Sequence, residues 1–254
     1  MRRGYILLNM VDPKIEVVPE ISELAEAAAG HILDAQASAV REREIFSIAL
    51  SGGNTPKTLF ELMASDPWRS RFDWSRWEVY FGDERCVPPD HPDSNFRMAR
   101  LALLDHVPID PARIHRMKGE MDPQQAAREY GELMKEKFGD DGLDVNLLGM
   151  GDDGHTASLF PGTAALAEKD HRCVANFVPR LDVWRITLSA PFINKSRQVM
   201  VLVSGAGKAQ RLDQVLNGPR DPDNLPIQMI QPVSGRMLWL MDAAAAGMDI
   251  TELE

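Results

Sequence analysis

The sequence predicts an α/β fold with a doubly wound, mainly parallel sheet and helices on both faces, a Rossmann-like three-layer arrangement. Short runs rich in Val, Ile, Leu and aromatic residues alternate with longer amphipathic stretches along nearly the whole chain, a pattern typical of βαβ units. Two runs, FSIAL at 46–50 and QVMVLVS at 198–204, are continuously apolar. Strands of this kind lie at the centre of a sheet that is covered on both faces.

Each predicted element follows from its local hydrophobic pattern. The predicted strands are 15–18, 46–50, 77–81, 143–149, 173–178, 184–189, 198–204 and 237–241. The predicted helices are 20–43, 56–65, 94–105, 122–138 and 206–216. The chain has no internal repeat and no long linker, and the Pro- and Asp-rich stretch at 217–226 is interpreted as a surface loop. One domain over residues 1–254 is therefore predicted.

Composition narrows the class of function. With 44% hydrophobic and 26% charged residues, the chain has the balance of an ordinary globular protein. The net charge of −10 and the absence of a Lys/Arg block argue against a nucleic-acid partner. Two cysteines fit a reducing compartment. The apolar run near the N-terminus is too short for a signal peptide, and no run approaches membrane-spanning length. We therefore expect a cytoplasmic enzyme without a membrane partner.

The first chemically suggestive loop is SGGNTP at 51–56, directly after a buried strand. Gly52 and Gly53 would let the backbone approach a ligand, and Thr55 and Pro56 suit the cap and first turn of a helix. The free N–H groups of a helix start favour an anion. The loop predicts a phosphate site, with a plain strand-to-helix turn as the alternative.

The second loop carries Asp83, Glu84 and Arg85 after the strand at 77–81. By itself, such a charged run is typical of a solvated surface. Its position at a strand end favours a functional site instead. Further on, Ser94 is predicted to cap the next helix, which places Asn95 in the first turn. A nucleophilic role for Cys86 is disfavoured because its activating base would have to be a remote histidine.

The third loop, GMGDDGH at 149–155, has the Gly-x-Gly-x-x-Gly spacing of dinucleotide-binding loops. Two observations disfavour that interpretation. The following strand, 173–178, does not end in the acidic residue that would hold a ribose. Asp152 and Asp153 would also place negative charge against a pyrophosphate.

The same loop places His155 two residues after Asp153. An imidazole oriented by a carboxylate can take a proton from water at neutral pH, although a lone histidine is more often structural. The six histidines show no paired ligand spacing, and two adjacent aspartates are a weak magnesium signal. We expect no metal.

Two cations complete the candidate set. Arg185 interrupts an apolar strand, and a guanidinium recognises phosphate with two hydrogen bonds. Lys208 begins a helix after a buried strand, with a surface lysine as the alternative. The segment is not a Walker loop, because Leu202 and Ala209 occupy positions that require Gly and Ser or Thr.

Five motifs, in this order and spacing, resemble those of the 6-phosphogluconolactonase family: SGGNTPKTLFE, YFGDERCVPPDHPDSN, LLGMGDDGHTASLFP, WRITLS and SGAGKAQ. The resemblance extends from about residue 15 to residue 240. It implies a doubly wound α/β fold without a required cofactor. It also implies hydrolysis of 6-phospho-D-glucono-1,5-lactone to 6-phospho-D-gluconate, the second step of the oxidative pentose phosphate pathway.

The resemblance assigns catalytic roles to His155 as general base, Asp153 as its orienting partner and Arg85 as a donor to the oxyanion or sugar oxygens. Asn54 stands where many relatives have Ser or Thr, so its amide would have to replace a hydroxyl. The predicted substrate- and phosphate-binding residues are Ser51, Gly52, Gly53, Asn54, Asp83, Asn95, Arg185 and Lys208.

Two other functions remain as alternatives. Glucosamine-6-phosphate deaminases share the superfamily, but their histidine motif continues into a segment with an acidic residue, whereas here no carboxylate follows until Glu168. A non-catalytic sugar-phosphate sensor would need a basic helix-turn-helix segment, which is absent from this sequence. The expected partner is a small sugar-phosphate lactone, and the expected assembly is a monomer or homodimer.

Overall fold

The computed structural model describes residues 13–249, so the short apolar run near the N-terminus lies outside the described residues. In this part of the chain the strands are β1 (Lys14–Val18), β2 (Phe46–Leu50), β3 (Trp77–Phe81), β4 (Asp83–Arg85), β5 (Val145–Gly149), β6 (Cys173–Val178), β7 (Val183–Leu188), β8 (Gln198–Val203) and β9 (Arg236–Asp242). The α-helices are α1 (Ile21–Arg43), α2 (Asn54–Ala64), α3 (Trp68–Arg71), α4 (Asn95–Ala99), α5 (Pro123–Phe138), α6 (Ala190–Ile193), α7 (Ala209–Leu216) and α8 (Ala243–Ala246).

The main sheet confirms the predicted parallel architecture. Its six strands run in the order β1-β9-β8-β5-β2-β3, and every neighbouring pair is parallel. From β2 the chain continues outward to β3, whereas from β5 it continues in the opposite direction to β8 and β9. The winding therefore reverses between β2 and β5. In open α/β sheets the crevice at the carboxyl ends of such strands is where ligands bind.

A second, smaller sheet was not anticipated. Strands β4, β7 and β6 form an antiparallel sheet in the order β4-β7-β6. The segments 173–178 and 184–189 are strands as predicted, but they form a hairpin outside the main sheet. They form an antiparallel hairpin because the connecting turn Pro179–Asp182 is far too short for a parallel crossover, which needs a dozen or more residues.

Helix α2 differs from its prediction at the N-terminus. The predicted Thr55 cap is wrong, because α2 begins at Asn54 and Gly53 occupies the cap position. The Thr55 hydroxyl instead pairs with the Ser204 hydroxyl, with 2.7 Å between the oxygens. This hydrogen bond connects the loop after β2 to the loop after β8. The predicted Ser94 cap is confirmed, since its Oγ accepts a hydrogen bond from the Arg97 N–H at 3.1 Å.

Two predicted helices are less regular than expected. The segment 94–105 consists of α4 followed by a π-helical turn, Arg100–Leu104. The segment 206–216 begins with a 3₁₀ turn, Ala206–Lys208, before α7. The short helices α3, α6 and α8 were not predicted. A single turn has too few residues to show a hydrophobic period, which explains why the sequence pattern misses them.

The long helix α1 covers one face of the main sheet. It buries Leu24, Ala28 and Ile32 completely, and this i, i+4, i+8 spacing places one apolar stripe against the core. The indole N–H of the fully buried Trp77 donates a hydrogen bond to Gln36 Oε1 at 2.7 Å. Burial of each large apolar side chain stabilises the fold by about 1.5–3 kcal/mol. Among the described residues, no helix is long and apolar enough to cross a membrane.

Candidate active site

A cleft of about 550 Å³ opens at the carboxyl ends of β2, β5 and β8, where the winding of the sheet reverses. Of the predicted site residues, all except Asp153 line this cleft: Ser51, Gly52, Gly53, Asn54, Asp83, Arg85, Asn95, His155, Arg185 and Lys208. Asp153 contacts His155 without lining the cleft itself. Residues separated by more than 150 positions in the chain are thus brought together in one cleft.

The glycine pair after β2 forms one wall of the cleft. Gly53 has φ +103°, a conformation that L side chains rarely adopt. At Gly52 a Cβ atom would lie 2.0 Å from Asn95 Oδ1, so no side chain fits without displacing Asn95. Helix α2 begins immediately afterwards at Asn54, with its first N–H groups at the edge of the cleft. This geometry suits an anion, as predicted for the loop.

Asp83 is a buried, fully engaged carboxylate. One oxygen accepts a hydrogen bond from Asn95 Nδ2 at 3.1 Å, and the other accepts from Ser158 Oγ at 2.6 Å. It therefore connects β4 to α4 and to the segment after His155. The solvated interpretation of the Asp-Glu-Arg run is wrong for its two acidic residues, because Asp83 and Glu84 are both buried.

Glu84 fixes the start of α4. Its carboxylate accepts hydrogen bonds from the Ser94 hydroxyl at 3.0 Å and from the backbone N–H groups of Asn95 and Phe96 at 2.7 and 2.8 Å. The Arg85 N–H adds a fourth bond at 2.8 Å. Burial raises the pKa of Glu84 although these N–H donors oppose it. Sequence reasoning missed this role, because a capping carboxylate eleven residues before the first residue of the helix has no periodic signal.

Arg85 and Arg185 face each other across the small sheet as directly paired residues of β4 and β7. The Nη1 of Arg85 donates to the Asp93 carbonyl at 2.5 Å, and the Nη1 of Arg185 donates to the Trp184 carbonyl at 3.3 Å. Within residues 13–249 neither guanidinium forms an ion pair with a carboxylate. Burial lowers the pKa of Arg185, and the charge of Arg85 lowers it further.

This cross-strand arrangement is unfavourable without an anion. Like charges on directly opposed residues destabilise a sheet by roughly 0.2–1 kcal/mol. A phosphate or a developing oxyanion would neutralise both groups and accept several charge-assisted hydrogen bonds. The two arginines thus supply the local positive charge that an anionic ligand requires on an acidic protein.

His155 is held as an oriented imidazole. Its Nδ1 lies 2.5 Å from Asp153 Oδ1, and its backbone N–H donates to the same oxygen at 3.1 Å. Its ring stacks on Phe160 with 4.1 Å between ring centroids. Burial raises the pKa of Asp153, but the hydrogen bonds from His155 and the charges of His155 and Arg180 outweigh it, so the pKa falls to about 2. A carboxylate at Nδ1 directs the proton to that nitrogen and leaves the Nε2 lone pair free.

Structural roles of the glycines in the 149–155 loop account for the Gly-x-Gly-x-x-Gly spacing without a bound nucleotide. A Cβ on Gly151 would lie 2.0 Å from His155 Nδ1, and the Gly151 N–H donates to the His155 carbonyl at 2.8 Å. Gly154 has φ +82°. Gly151 is therefore required for the close approach of the imidazole, and Gly154 for the turn.

Asp152 and Asp153 point to different partners. Lys208 Nζ donates to Asp152 Oδ1 at 2.5 Å, and this hydrogen bond lowers the pKa of Asp152. Asp152 is exposed, whereas Asp153 is engaged by His155 and Arg180. The two carboxylates do not form a joint ligand set. Cys86 borders a neighbouring cleft, and burial raises its pKa to about 11, which leaves little thiolate at neutral pH.

The sequence reasoning did not identify Arg180, which lines the cleft from the turn between β6 and β7. Its Nη2 forms an ion pair with Asp153 Oδ2, and its guanidinium lies over the Phe160 ring at 5.4 Å. The residue lies 25 positions after His155 in an irregular turn, and neither charge patterning nor spacing connects the two. Only the fold shows that Arg180 lies at this site.

The fold and the site together define a doubly wound α/β protein with a cleft that contains two arginines, a lysine and a carboxylate-oriented histidine at the point where the winding reverses. A family model described as glucosamine-6-phosphate isomerases/6-phosphogluconolactonase matches residues 19–239. A 6-phosphogluconolactonase of Synechocystis sp. is 41% identical over 239 residues, which cover 92% of this chain and 97% of the relative. The chain belongs to the glucosamine-6-phosphate isomerase/6-phosphogluconolactonase family, and the resemblance inferred from its motifs is confirmed.

Solved structures agree with this assignment. A 6-phosphogluconolactonase from Trypanosoma brucei superposes with a TM-score of 0.83 at 28% identity, covering 93% of this chain and 98% of that chain. A monomeric glucosamine-6-phosphate deaminase superposes with a TM-score of 0.79 at 21% identity, covering 93% and 100%. The second likeness shows the shared fold alone.

Proposed function

We propose that this protein hydrolyses 6-phospho-D-glucono-1,5-lactone to 6-phospho-D-gluconate. The observation that carries the proposal is His155, which Asp153 orients and which shares a cleft with two arginines that form no ion pair with a carboxylate among the described residues. The similarity to a 6-phosphogluconolactonase at 41% identity over most of both chains supports the same substrate. The reaction is the second step of the oxidative pentose phosphate pathway.

The first chemical step is addition of water. The Nε2 of His155 takes a proton from a water molecule while the water oxygen forms a bond to the lactone carbonyl carbon. Asp153 stabilises the imidazolium that forms. A general base of this kind contributes about 10²- to 10⁴-fold in rate. Negative charge develops on the carbonyl oxygen, and Arg85 is the donor that we assign to it.

The second step is ring opening. The carbonyl re-forms as the bond between the carbonyl carbon and the ring oxygen breaks, and the ring oxygen receives the proton from the His155 imidazolium. The new carboxylic acid then loses its proton to solvent. Because a lactone is an activated ester, this sequence requires neither a covalent intermediate nor a redox group.

The phosphate end of the substrate is assigned to lining groups other than His155 and Arg85. Backbone N–H groups of the 51–54 loop, Arg185 and Lys208 surround the phosphate, and the amide of Asn54 takes the place of a hydroxyl. Asp83 and Asn95, which are joined by a hydrogen bond, are assigned to the part of the cleft between the carbonyl and the phosphate of the substrate. Binding energy from the phosphate positions the reacting ring. Lys208 exchanges its exposed partner Asp152 for the phosphate.

The deaminase alternative is disfavoured by the residues after His155. Residues 156–167 contain no Asp or Glu. Glu168, the next carboxylate, accepts hydrogen bonds from the backbone N–H groups of Lys169, Asp170 and His171 at 2.7–2.8 Å and does not line the cleft. No carboxylate from this segment is thus available to assist ring opening of an amino sugar. A non-catalytic sensor would have no need of the oriented His155.

A direct assay tests the proposal. Freshly prepared 6-phosphogluconolactone is mixed with the protein, and acid release is followed against the spontaneous hydrolysis of the same lactone. Acceleration by several orders of magnitude is expected, with no ammonia released from glucosamine 6-phosphate under the same conditions. Absence of acceleration would exclude the lactonase function, and ammonia release would favour the deaminase. We also propose a cytoplasmic location and a monomer or homodimer, which cell fractionation and light scattering can test.

A further inference from the structure

Arg180 contacts both groups that hold the catalytic imidazole. It lies on the 3₁₀ turn Pro179–Leu181 at the tip of the β6–β7 hairpin. Its Nη2 pairs with Asp153 Oδ2, the carboxylate oxygen that His155 does not use. Its guanidinium also covers the ring of Phe160, which stacks on His155. A residue on the hairpin turn of the small sheet thus contacts the loop 149–155 of the main sheet, called the catalytic loop below.

The two oxygens of Asp153 have separate tasks. Oδ1 accepts hydrogen bonds from the Nδ1–H and the backbone N–H of His155, and Oδ2 forms an ion pair with the guanidinium of Arg180. Without Arg180, the contact at Oδ2 would no longer restrict rotation of the Asp153 carboxylate. Phe160 would lose the cation above its face, which is an attractive interaction.

We infer that Arg180 is a positioning residue of the proposed lactonase reaction: by holding Asp153 and covering Phe160, it fixes the imidazole of His155 and preserves its proton-accepting form. The inference rests on the proposed function, since it assigns to Arg180 an effect on the base of that reaction. It predicts a change in turnover and in its pH dependence, with substrate affinity preserved.

The charges around His155 determine the direction of the pH effect. On its own loop lie Asp153 and Asp152, and Asp152 is paired with Lys208 on the turn before α7. Arg85 and Arg185 line the same cleft from β4 and β7. An Arg180 substitution leaves all of these groups in place. Its effect is therefore confined to the charge that Asp153 presents to the imidazole.

The sign follows from the active form of the base. A general base acts in its unprotonated form, so the acid limb of the kcat/KM profile depends on the charge that surrounds the base. Asp153, with a pKa of about 2, stays ionised throughout the working range. Arg180 offsets part of its negative charge. Without Arg180 more negative charge remains beside the base, so the acid limb should move to higher pH. Because Arg180 is about half exposed, solvent reduces the shift.

The experiment compares wild-type protein with Arg180→Gln, Arg180→Lys and a control, Arg128→Gln, which removes an arginine from α5 away from the cleft lining. Initial rates with 6-phosphogluconolactone are measured between pH 5 and pH 8 after subtraction of spontaneous hydrolysis. For Arg180→Gln we expect an acid limb about 0.5 pH units higher and kcat about three- to tenfold lower, with KM unchanged. Arg180→Lys should restore the limb, and Arg128→Gln should match wild type.

Each outcome bears on one claim. A shifted limb in Arg180→Gln that is restored in Arg180→Lys supports the positioning role. A limb that does not move, whatever the change in kcat, overturns it, and so does an increase in KM alone, which would make Arg180 a substrate contact. Failure of the proposed function is distinct from these results, because the wild-type protein itself would then not accelerate hydrolysis.

Discussion

The cleft is built from two regions that present their functional groups in different ways. In the main sheet the groups lie in loops after β2 and β5, where glycines leave space for Asn95 and for the imidazole of His155. In the small sheet Arg85 and Arg185 extend from the strands themselves, and the β4–β7 register sets their spacing. In our proposal the loop after β5 carries the general base, and Arg185 of the small sheet carries part of the charge that binds the phosphate. We expect His155 and Arg185 to control different kinetic parameters.

The largest effect is expected at the catalytic loop. His155→Ala should lower kcat by about 10²- to 10⁴-fold, because the general base is lost, while KM changes little since the phosphate contacts remain. Steady-state kinetics with 6-phosphogluconolactone measures both parameters, and circular dichroism checks that the variant is folded. Near wild-type turnover would remove His155 from the role of base.

The small sheet should show the opposite signature. Arg185→Ala removes a charged hydrogen-bond donor from the phosphate side, which is worth about 1.5–3 kcal/mol, so KM should increase by about 10- to 100-fold with kcat affected much less. The same kinetic assay provides the comparison. A decrease in kcat at constant KM would place Arg185 at the reacting carbonyl and would end the division of labour between the two sheets.

The glycines of the catalytic loop allow a matched comparison. A Cβ on Gly151 would lie 2.0 Å from His155 Nδ1, whereas a Cβ on Gly149 meets no atom closer than the Leu202 carbonyl oxygen at 4.0 Å. Gly151→Ala should therefore displace the imidazole and reduce kcat by roughly tenfold or more, while Gly149→Ala has a much smaller effect. Equal loss in both variants would show that the loop tolerates no substitution and that the imidazole contact is not the cause.

The regularity of the main sheet explains how much could be predicted. The continuous apolar runs of β2 and β8 and the post-strand positions of Ser51 and His155 follow from local patterns, because parallel strands gather their carboxyl-terminal loops at one edge. The family resemblance is confirmed by the match over residues 19–239. The roles assigned to the site residues and the single-domain organisation remain predictions.

The small sheet was harder to predict because its function depends on pairing between distant segments. Nothing in the sequence indicates that Arg85 lies opposite Arg185, since the two are brought together only by the β4–β7 ladder. Arg180 was missed for the same reason: its partner Asp153 belongs to a loop of the other sheet. The burial of Glu84 likewise depends on a remote helix start. Local charge patterns do not contain this information.

Two buried asparagines extend the comparison from function to stability. Asn146 lies in β5 of the main sheet and Asn176 in β6 of the small sheet, and both are almost completely buried. Asn176 Nδ2 donates to the Ser158 carbonyl and to Thr163 Oγ1, both at 2.9 Å. Among the described residues, neither amide atom of Asn146 has a hydrogen-bond partner. A buried asparagine amide therefore has hydrogen-bond partners in the small sheet and, among the described residues, none in the main sheet.

The smallest expected effect follows from this difference. Asn146→Val replaces an unpartnered amide in a continuously buried strand with a β-branched apolar side chain, so the free energy of unfolding should increase by about 1 kcal/mol. Asn176→Val is the matched control, and it should decrease that free energy by about 1–3 kcal/mol because it leaves partners of the lost amide unsatisfied. Chemical denaturation of both variants measures the two changes. If Asn146→Val is destabilising to the same extent as Asn176→Val, then the amide in β5 is satisfied in solution and the polar side chain contributes to the stability of the main sheet.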